Sequence, residues 1–150
     1  RVFGDRLTDR ADLKWMRNQV EGCLDEDFQM DPSVVYGRER LMFASFMTAE
    51  IDNRFYEEVT NMKELKEKIE EYLEDYNNVF PIVMPLVMFL DACEHCSHIC
   101  RVLNQPNGNV LLLGVGGSGR QSLTRLSAYM CENECFQIEV AKGYGMSEFR

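Results

Sequence analysis

The stretch Asn109-Val110-Leu111-Leu112-Leu113-Gly114-Val115-Gly116-Gly117-Ser118-Gly119-Arg120-Gln121-Ser122 runs from an apolar strand through a glycine-rich turn into a helix with a basic residue at its start. Several backbone N–H groups must converge on one anion after such a strand, and a Cβ at Gly116, Gly117 or Gly119 would obstruct either the turn or the ligand. The helix that follows aims its unsatisfied amides and positive dipole end at the same point, and the long cation at Arg120 reaches terminal phosphates. The pattern is a phosphate cradle close to G-x-x-x-x-G-K-[ST]. It departs in two places: Arg120 stands where lysine is usual, and Gln121 where a hydroxyl ordinarily ligates Mg²⁺. Arginine keeps the charge but presents a fork instead of a point donor, so binding is expected to survive better than catalysis. Ser122, one place later, offers a substitute hydroxyl only if the helix start shifts.

The flanks supply the context that such a motif requires. Val110 to Leu113 is a continuous apolar run, as in a parallel strand buried on both faces, and Leu123, Leu126 and Met130 recur at helical spacing. Residues 101–131 hold Arg101, Arg120 and Arg125 and no acid, within a chain of formal charge -9. An anion is welcome there and little elsewhere, and no basic excess points to nucleic acid. Residues 50–75 carry ten acidic and four basic side chains, which is the composition of a solvated helix face.

Composition argues for a folded chain with 45% hydrophobic residues. The longest apolar stretch, Val79 to Leu90, is too short for a bilayer and contains two prolines, so a soluble, intracellular, membrane-free protein is expected. The six cysteines fit that compartment if reduced. Cys93, Cys96, His98 and Cys100 use zinc-ligand vocabulary, but Phe89, Cys93, Cys96, Cys100 and Leu103 form one helical stripe in which cysteine behaves as a small buried hydrophobe. No clear second ligand pair follows, and the core stripe is the favoured reading.

Along the chain, Arg1 to Glu21 has apolar positions of a helical unit, and Asp25 to Gly37 is a connector around Asp31-Pro32-Ser33. Leu41 to Phe46 is a short apolar run of undecided type. Met62, Leu65, Ile69, Tyr72, Leu73 and Tyr76 mark an amphipathic helix over 61–76, ended by Asn77-Asn78, with Glu64 and Lys68 as an i,i+4 pair. Pro81 and Pro85 hold the next stretch extended, a helix spans Leu86 to about Leu103, and Gln105-Pro106-Asn107-Gly108 turns the chain into the loop's strand. Phe136 to Val140 alternates as a strand, left by Lys142-Gly143-Tyr144-Gly145. The expected class is α/β: helical segments, then the first part of a parallel-sheet P-loop subdomain, incomplete because 28 residues follow Ser122.

Met84-Pro-Leu-Val-Met-Phe-Leu-Asp-Ala-Cys-Glu94-His95, Arg101 through Leu126, and Phe136-Gln-Ile-Glu139 together closely resemble the start of the fourth AAA+ module of axonemal dynein heavy chains. Arg1-Val-Phe-Gly-Asp-Arg-Leu7 is similar to the helical lid of the third module, and Tyr56-Glu-Glu-Val59 and Glu71-Tyr-Leu-Glu-Asp-Tyr-Asn77 to the connection between modules. The resemblance implies three parts: 1–27 closing one lid, 28–83 connecting, and 84–150 opening the next nucleotide-binding module. It implies a piece of an ATP-driven, minus-end-directed microtubule motor of the cilium or flagellum axoneme, a cytoplasmic, cytoskeletal location, and a site that is regulatory. ATP or ADP would be held at its phosphates by Gly114, Val115, Gly116, Gly117, Ser118, Gly119, Arg120, Gln121 and Ser122, with Mg²⁺ possible. Met84, Pro85, Leu86 and Val87 would lie on the adenine side. No residue is assigned to catalysis, since the Walker B acids, sensor and arginine finger would lie beyond Arg150 or on neighbours. Implied partners are the rest of the ring, the microtubule through a stalk, and intermediate and light chains through a tail, with no nucleic acid. Two alternatives stand beside this: a structural or regulatory ring spacer with a degenerate loop, and a small self-contained P-loop enzyme such as a kinase.

Overall fold

A computed structural model describes residues 4, 7–36, 41–48, 54–138 and 143–149. Arg1–Phe3, Asp5 and Arg6 of the N-terminal resemblance, Gly37 of the connector, and Glu139, Val140 and Lys142 at the expected second strand lie outside the described residues. The chain forms two compact units, 1–42 and 43–150.

The first unit holds α1 (Arg10–Glu26) and α2 (Ser33–Tyr36). Asp9 caps α1, its carboxylate accepting the Ala11 N–H at 2.6 Å, and Asp31 does the same for Ser33 at 2.7 Å. Arg17 pairs with Glu21 at 2.7 Å and lies 4.7 Å from the Tyr36 ring centroid. The apolar positions of α1 are at most half-covered: Met16, Val20 and Leu24 are of intermediate exposure, none of its residues is buried, and Trp15 is 62% exposed. The stripe is there in sequence, but no described residue of this unit covers it fully.

The second unit is built around three helices, α3 (Met62–Val79), α4 (Leu90–Leu103) and α5 (Arg120–Met130), with α6 (Met146–Phe149) near its end. The run around Leu41–Phe46 resolves as β1 (Met42–Ala44), which pairs with β2 (Glu57–Val59) in a two-stranded antiparallel sheet. The core combines Leu65, Ile69 and Leu73 of α3, Cys93, Cys96, Ile99 and Cys100 of α4, and Leu126 and Met130 of α5. α5 packs most extensively on α4 and also on α3. The cysteine stripe is therefore core, although Phe89, its first expected member, is exposed. Among the described residues no cluster of His, Cys, Asp or Glu could hold a metal, and no helix is long and apolar enough to cross a membrane.

Four expectations need correction. α3 runs through Asn77 and Asn78 to Val79, because the Asn77 carboxamide bonds Met84 (N–H to Oδ1 2.7 Å, Nδ2 to O 3.3 Å) instead of breaking its own helix. Termination falls to Pro81, which forces Phe80 out of the helical region (φ -101°, ψ 140°). α4 starts at Leu90, not Leu86, since the Leu86 N–H folds back on Met84 O at 2.9 Å in a three-residue turn about Pro85. Finally, Val110–Leu113 and the described part of 136–140 are not strands. Leu111, Leu113 and Phe136 are 82%, 83% and 89% exposed, because no strand among the described residues lies alongside to complete a ladder. The class is thus mixed helix and small sheet, and among the described residues the two antiparallel strands are the whole of the sheet.

Candidate functional site

α5 begins where the glycine-rich turn ends, and the turn is shaped by its glycines. Val115 O accepts the Ser118 N–H at 3.2 Å, Gly117 sits at φ 79°, and Gly119, the N-cap of α5, at φ 76°, left-handed values that side chains resist. The first helical bond is Leu123 N–H to Gly119 O at 2.8 Å, so the amides of Arg120, Gln121 and Ser122 precede any acceptor within the helix. They open onto a cleft of about 740 Å³ lined by Leu112, Gly116–Ser122, Thr124, Arg125 and Cys135–Ile138. Gly114 and Val115 do not line it, and Ser118 Oγ lies 2.7 Å from where a Gly114 Cβ would be.

The cationic side chains take up particular positions. Arg120 folds back, its Nη2 donating to Val115 O at 3.2 Å. Arg125, one and a half turns further along α5, donates to Gln137 Oε1 at 2.5 Å and lines the same cleft. Among the described residues no Asp, Glu or His lines this cleft. Chemically, the arrangement offers amides, two guanidinium groups and the Ser118 and Ser122 hydroxyls to an anion, while the Thr124 hydroxyl is spent on Arg120 O at 2.8 Å and no carboxylate to draw in Mg²⁺ is among the described lining residues.

A second cleft of about 1010 Å³ shares Ser122, Arg125 and Cys135 with the first. Its walls are Tyr76 and Phe80 at the end of α3, Pro81–Pro85, Tyr129 of α5, and Glu132–Glu134. Tyr76 stacks on Phe80 at 4.4 Å between centroids, and Tyr129 meets both edge-on at 5.4 and 6.0 Å. The Asn77–Met84 bonds hold the proline segment against this wall. Met84 and Pro85 line the cleft, whereas Leu86 and the exposed Val87 do not. The sequence reading missed Thr124, Gln137 and the aromatic wall. Tyr76 and Phe80 carry an i,i+4 signal, but nothing local indicates that Tyr129 meets them.

Residues 84–150 match the family described as P-loop containing dynein motor region D4. The whole chain is 45% identical over 150 residues to human "Dynein axonemal heavy chain 1". It is 42% identical over 154 residues to the Chlamydomonas reinhardtii "Dynein-1-beta heavy chain, flagellar inner arm I1 complex" and 40% identical over 162 residues to human "Dynein axonemal heavy chain 3". All of the chain is covered in each case, but it spans only 3–4% of the length of these relatives. With the phosphate-loop geometry set in a sequence that aligns from end to end with these proteins, the chain belongs to the axonemal dynein heavy chain family.

Proposed function

We propose that this chain supplies the phosphate-binding loop of a regulatory ATP or ADP site in an axonemal dynein heavy chain. The observation that carries the proposal is the pairing of two adjoining clefts, one walled by the glycine loop and its cations, the other by aromatic and proline side chains. A nucleotide has the same division: charged phosphates at one end and a flat apolar base at the other. Gly116–Ser122 would hold phosphates through amides and the Arg120 cation, and Met84 and Pro85 would border the base beside Tyr129. The amides ahead of the first helical bond fit an anion. The donor set fits Mg²⁺ poorly, because Gln121 replaces the usual hydroxyl and no carboxylate is among the described residues that line the cleft, so no metal-assisted step is assigned to these residues. Val110–Leu113 and the segment from Phe136 would be strands of a parallel AAA+ sheet whose ladder partners belong to the rest of the ring.

Within the parent motor this site would tune an ATP-driven, minus-end-directed movement on microtubules of the axoneme. Residues 1–27, 28–83 and 84–150 would then close one module, connect, and open the next. Its partners would be the remaining ring modules, the microtubule, and intermediate and light chains.

The Arg120–Val115 contact favours a second reading. An arginine already engaged by its own loop, next to Gln121, suits a spacer that transmits shape without turning over nucleotide. Thermal melts with and without millimolar Mg-ATP separate the two. Ligand at a hundredfold excess over Kd adds about 2.7 kcal/mol of stability. Losing one hydrogen bond to a charged group costs about 1.5–3 kcal/mol, so Arg120→Ala is expected to weaken binding about 10- to 150-fold while Gln121→Ala changes little. No ligand shift in the unmodified chain favours the spacer; equal, small losses in both variants refute the assignment to Arg120.

A further inference from the structure

Cysteines of α4 meet one at the end of α5, away from both the phosphate loop and its cleft. Cys93, Cys96 and Cys100 are buried along α4, and Cys131 forms the C-cap of α5 at intermediate exposure. The backbones interlock at this crossing. Ser127 O accepts the Cys131 N–H at 3.0 Å and also the Cys100 Sγ–H, with the sulfur 3.8 Å away, while the Cys131 Sγ lies 3.8 Å from Cys100 O as donor. Each thiol thus reaches the point where the other cysteine is held: Cys131 the Cys100 carbonyl, and Cys100 the Ser127 carbonyl that also accepts the Cys131 N–H. Cys96 packs beside them, its sulfur 3.3 Å from Ser127 Oγ and 3.4 Å from Met130 Sδ.

The chemical environments of the pair differ. The hydrogen bond with Cys100, aided by the positive charge of Arg54, holds the Cys131 thiol below the ordinary cysteine value against the pull of burial. Arg54 is fixed there by its Nη1 donating to Met130 O at 3.0 Å, one residue before Cys131. Cys100, hydrogen-bonded to Cys131 and Cys96 and buried, is pushed well above its ordinary value and keeps its proton. Of the three thiols around Ser127, Cys131 alone is accessible to solvent, so it is where a reagent enters.

We propose that Cys131 and Cys100 form a peroxide-sensitive dithiol that closes to a disulfide joining the end of α5 to the last turn of α4. The Cys131 thiolate attacks a hydroperoxide, ROOH. The O–O bond breaks, one OH passes to sulfur as sulfenic acid, and RO⁻ leaves to take a proton as ROH. The Cys100 sulfur then attacks the sulfenic sulfur, forming the S–S bond as the S–O bond breaks, and its proton departs with the hydroxyl as water. Two thiols are oxidised by two electrons, and the peroxide is reduced to alcohol and water. The helix that starts at the phosphate loop is thereby tied at its far end to α4.

The test treats the full chain with hydrogen peroxide, alkylates the remaining thiols with iodoacetamide and maps the peptides by mass spectrometry. A Cys100–Cys131 linked peptide is expected, in a yield independent of protein concentration and reversed by dithiothreitol. Cys131→Ala should leave Cys100 a free thiol, and Cys100→Ala should leave a sulfenic acid on Cys131 that dimedone traps. The proposal is overturned if the unmodified chain yields no such peptide while exposed Cys23 and Cys135 are oxidised, or if Cys131 pairs with Cys135 instead. Because this readout needs no variant, a misfolded substitution cannot rescue it.

Discussion

Replacing Gly108 by alanine tests the turn that delivers the chain from α4 to the phosphate loop. An added Cβ would stand 1.9 Å from Val102 O, 2.9 Å from Val102 C and 3.2 Å from Gln105 O. All three are backbone atoms, so no side-chain rotation relieves the overlap. Carbon and oxygen come no closer than about 3.3 Å in ordinary contacts, so the turn must retreat by well over an ångström. That movement disturbs the Gly108 N–H bond to Gln105 O at 3.0 Å and the Gln105 N–H bond to Val102 O at 3.1 Å. Two hydrogen bonds at about 1 kcal/mol each and an overpacking cost of about 1–3 kcal/mol give a loss of about 3–5 kcal/mol. At roughly 4 °C per kcal/mol for a unit of this size, Tm should fall by about 12–20 °C in a melt followed by far-UV circular dichroism. Gly116→Ala is the control, since its Cβ meets nothing within 4 Å and a surface change of this kind costs under about 0.5 kcal/mol. A Gly108→Ala chain that melts with Gly116→Ala would refute the reasoning, because it would mean that the turn is free to move.

Two further perturbations probe the helical core. Asn61 Oδ1 accepts the N–H groups of Lys63 and Glu64 at 3.1 and 3.3 Å, so Asn61→Ala should cost about 1 kcal/mol and Asn61→Asp should restore it; equal melts for alanine and asparagine would deny the cap. The Cys93 thiol is pushed up to about 11, by burial first and then by neighbouring Cys96. The folded chain keeps that proton above pH 9, where the unfolded chain begins to lose it, so the associated stability is whole below pH 9 and drains as the pH rises towards 11. The Tm gap between the unmodified chain and Cys93→Ala should narrow across that window, and a constant gap would show that the thiol titrates normally.

The parts of this chain that the sequence makes legible are those whose geometry is local. A glycine-rich turn before an apolar-periodic helix specifies left-handed residues at Gly117 and Gly119 and a helix N-terminus facing a cleft, and the structure has them. The spacing of Cys93, Cys96 and Cys100 likewise fixes one helix face, and that face is buried. Helix ends were misplaced where one side chain or ring decides them: Asn77 serves Met84 instead of stopping α3, and the turn about Pro85 delays α4. The strand expected over Val110–Leu113 fails for a different reason. A ladder depends on a neighbour whose position no local pattern encodes, and none lies beside it among the described residues. The second cleft was equally out of reach, because it joins residues 76–85 to 122–135, segments that meet only after the helices pack.

That contrast explains how a phosphate loop is shaped without its sheet. In the expected parallel fold, the strand before the loop and the helix after it would share the task of aiming the amides. Here the helix does so without the strand: Leu126 and Met130 of α5 are fully buried where it packs on α3 and α4, while Leu111 and Leu113 before the loop remain exposed. The downstream half of the cradle, Gly119 to Ser122, is consequently anchored by the helical core, and the upstream half is held by the Ser118–Val115 and Arg120–Val115 bonds, both within the loop. An anion entering the cleft competes with the second of these for the Arg120 guanidinium. A neighbouring strand that secured Val110–Leu113 would fix Val115 by another route and free the cation, so under the proposed function the affinity of this loop would depend on what covers the apolar run beside it.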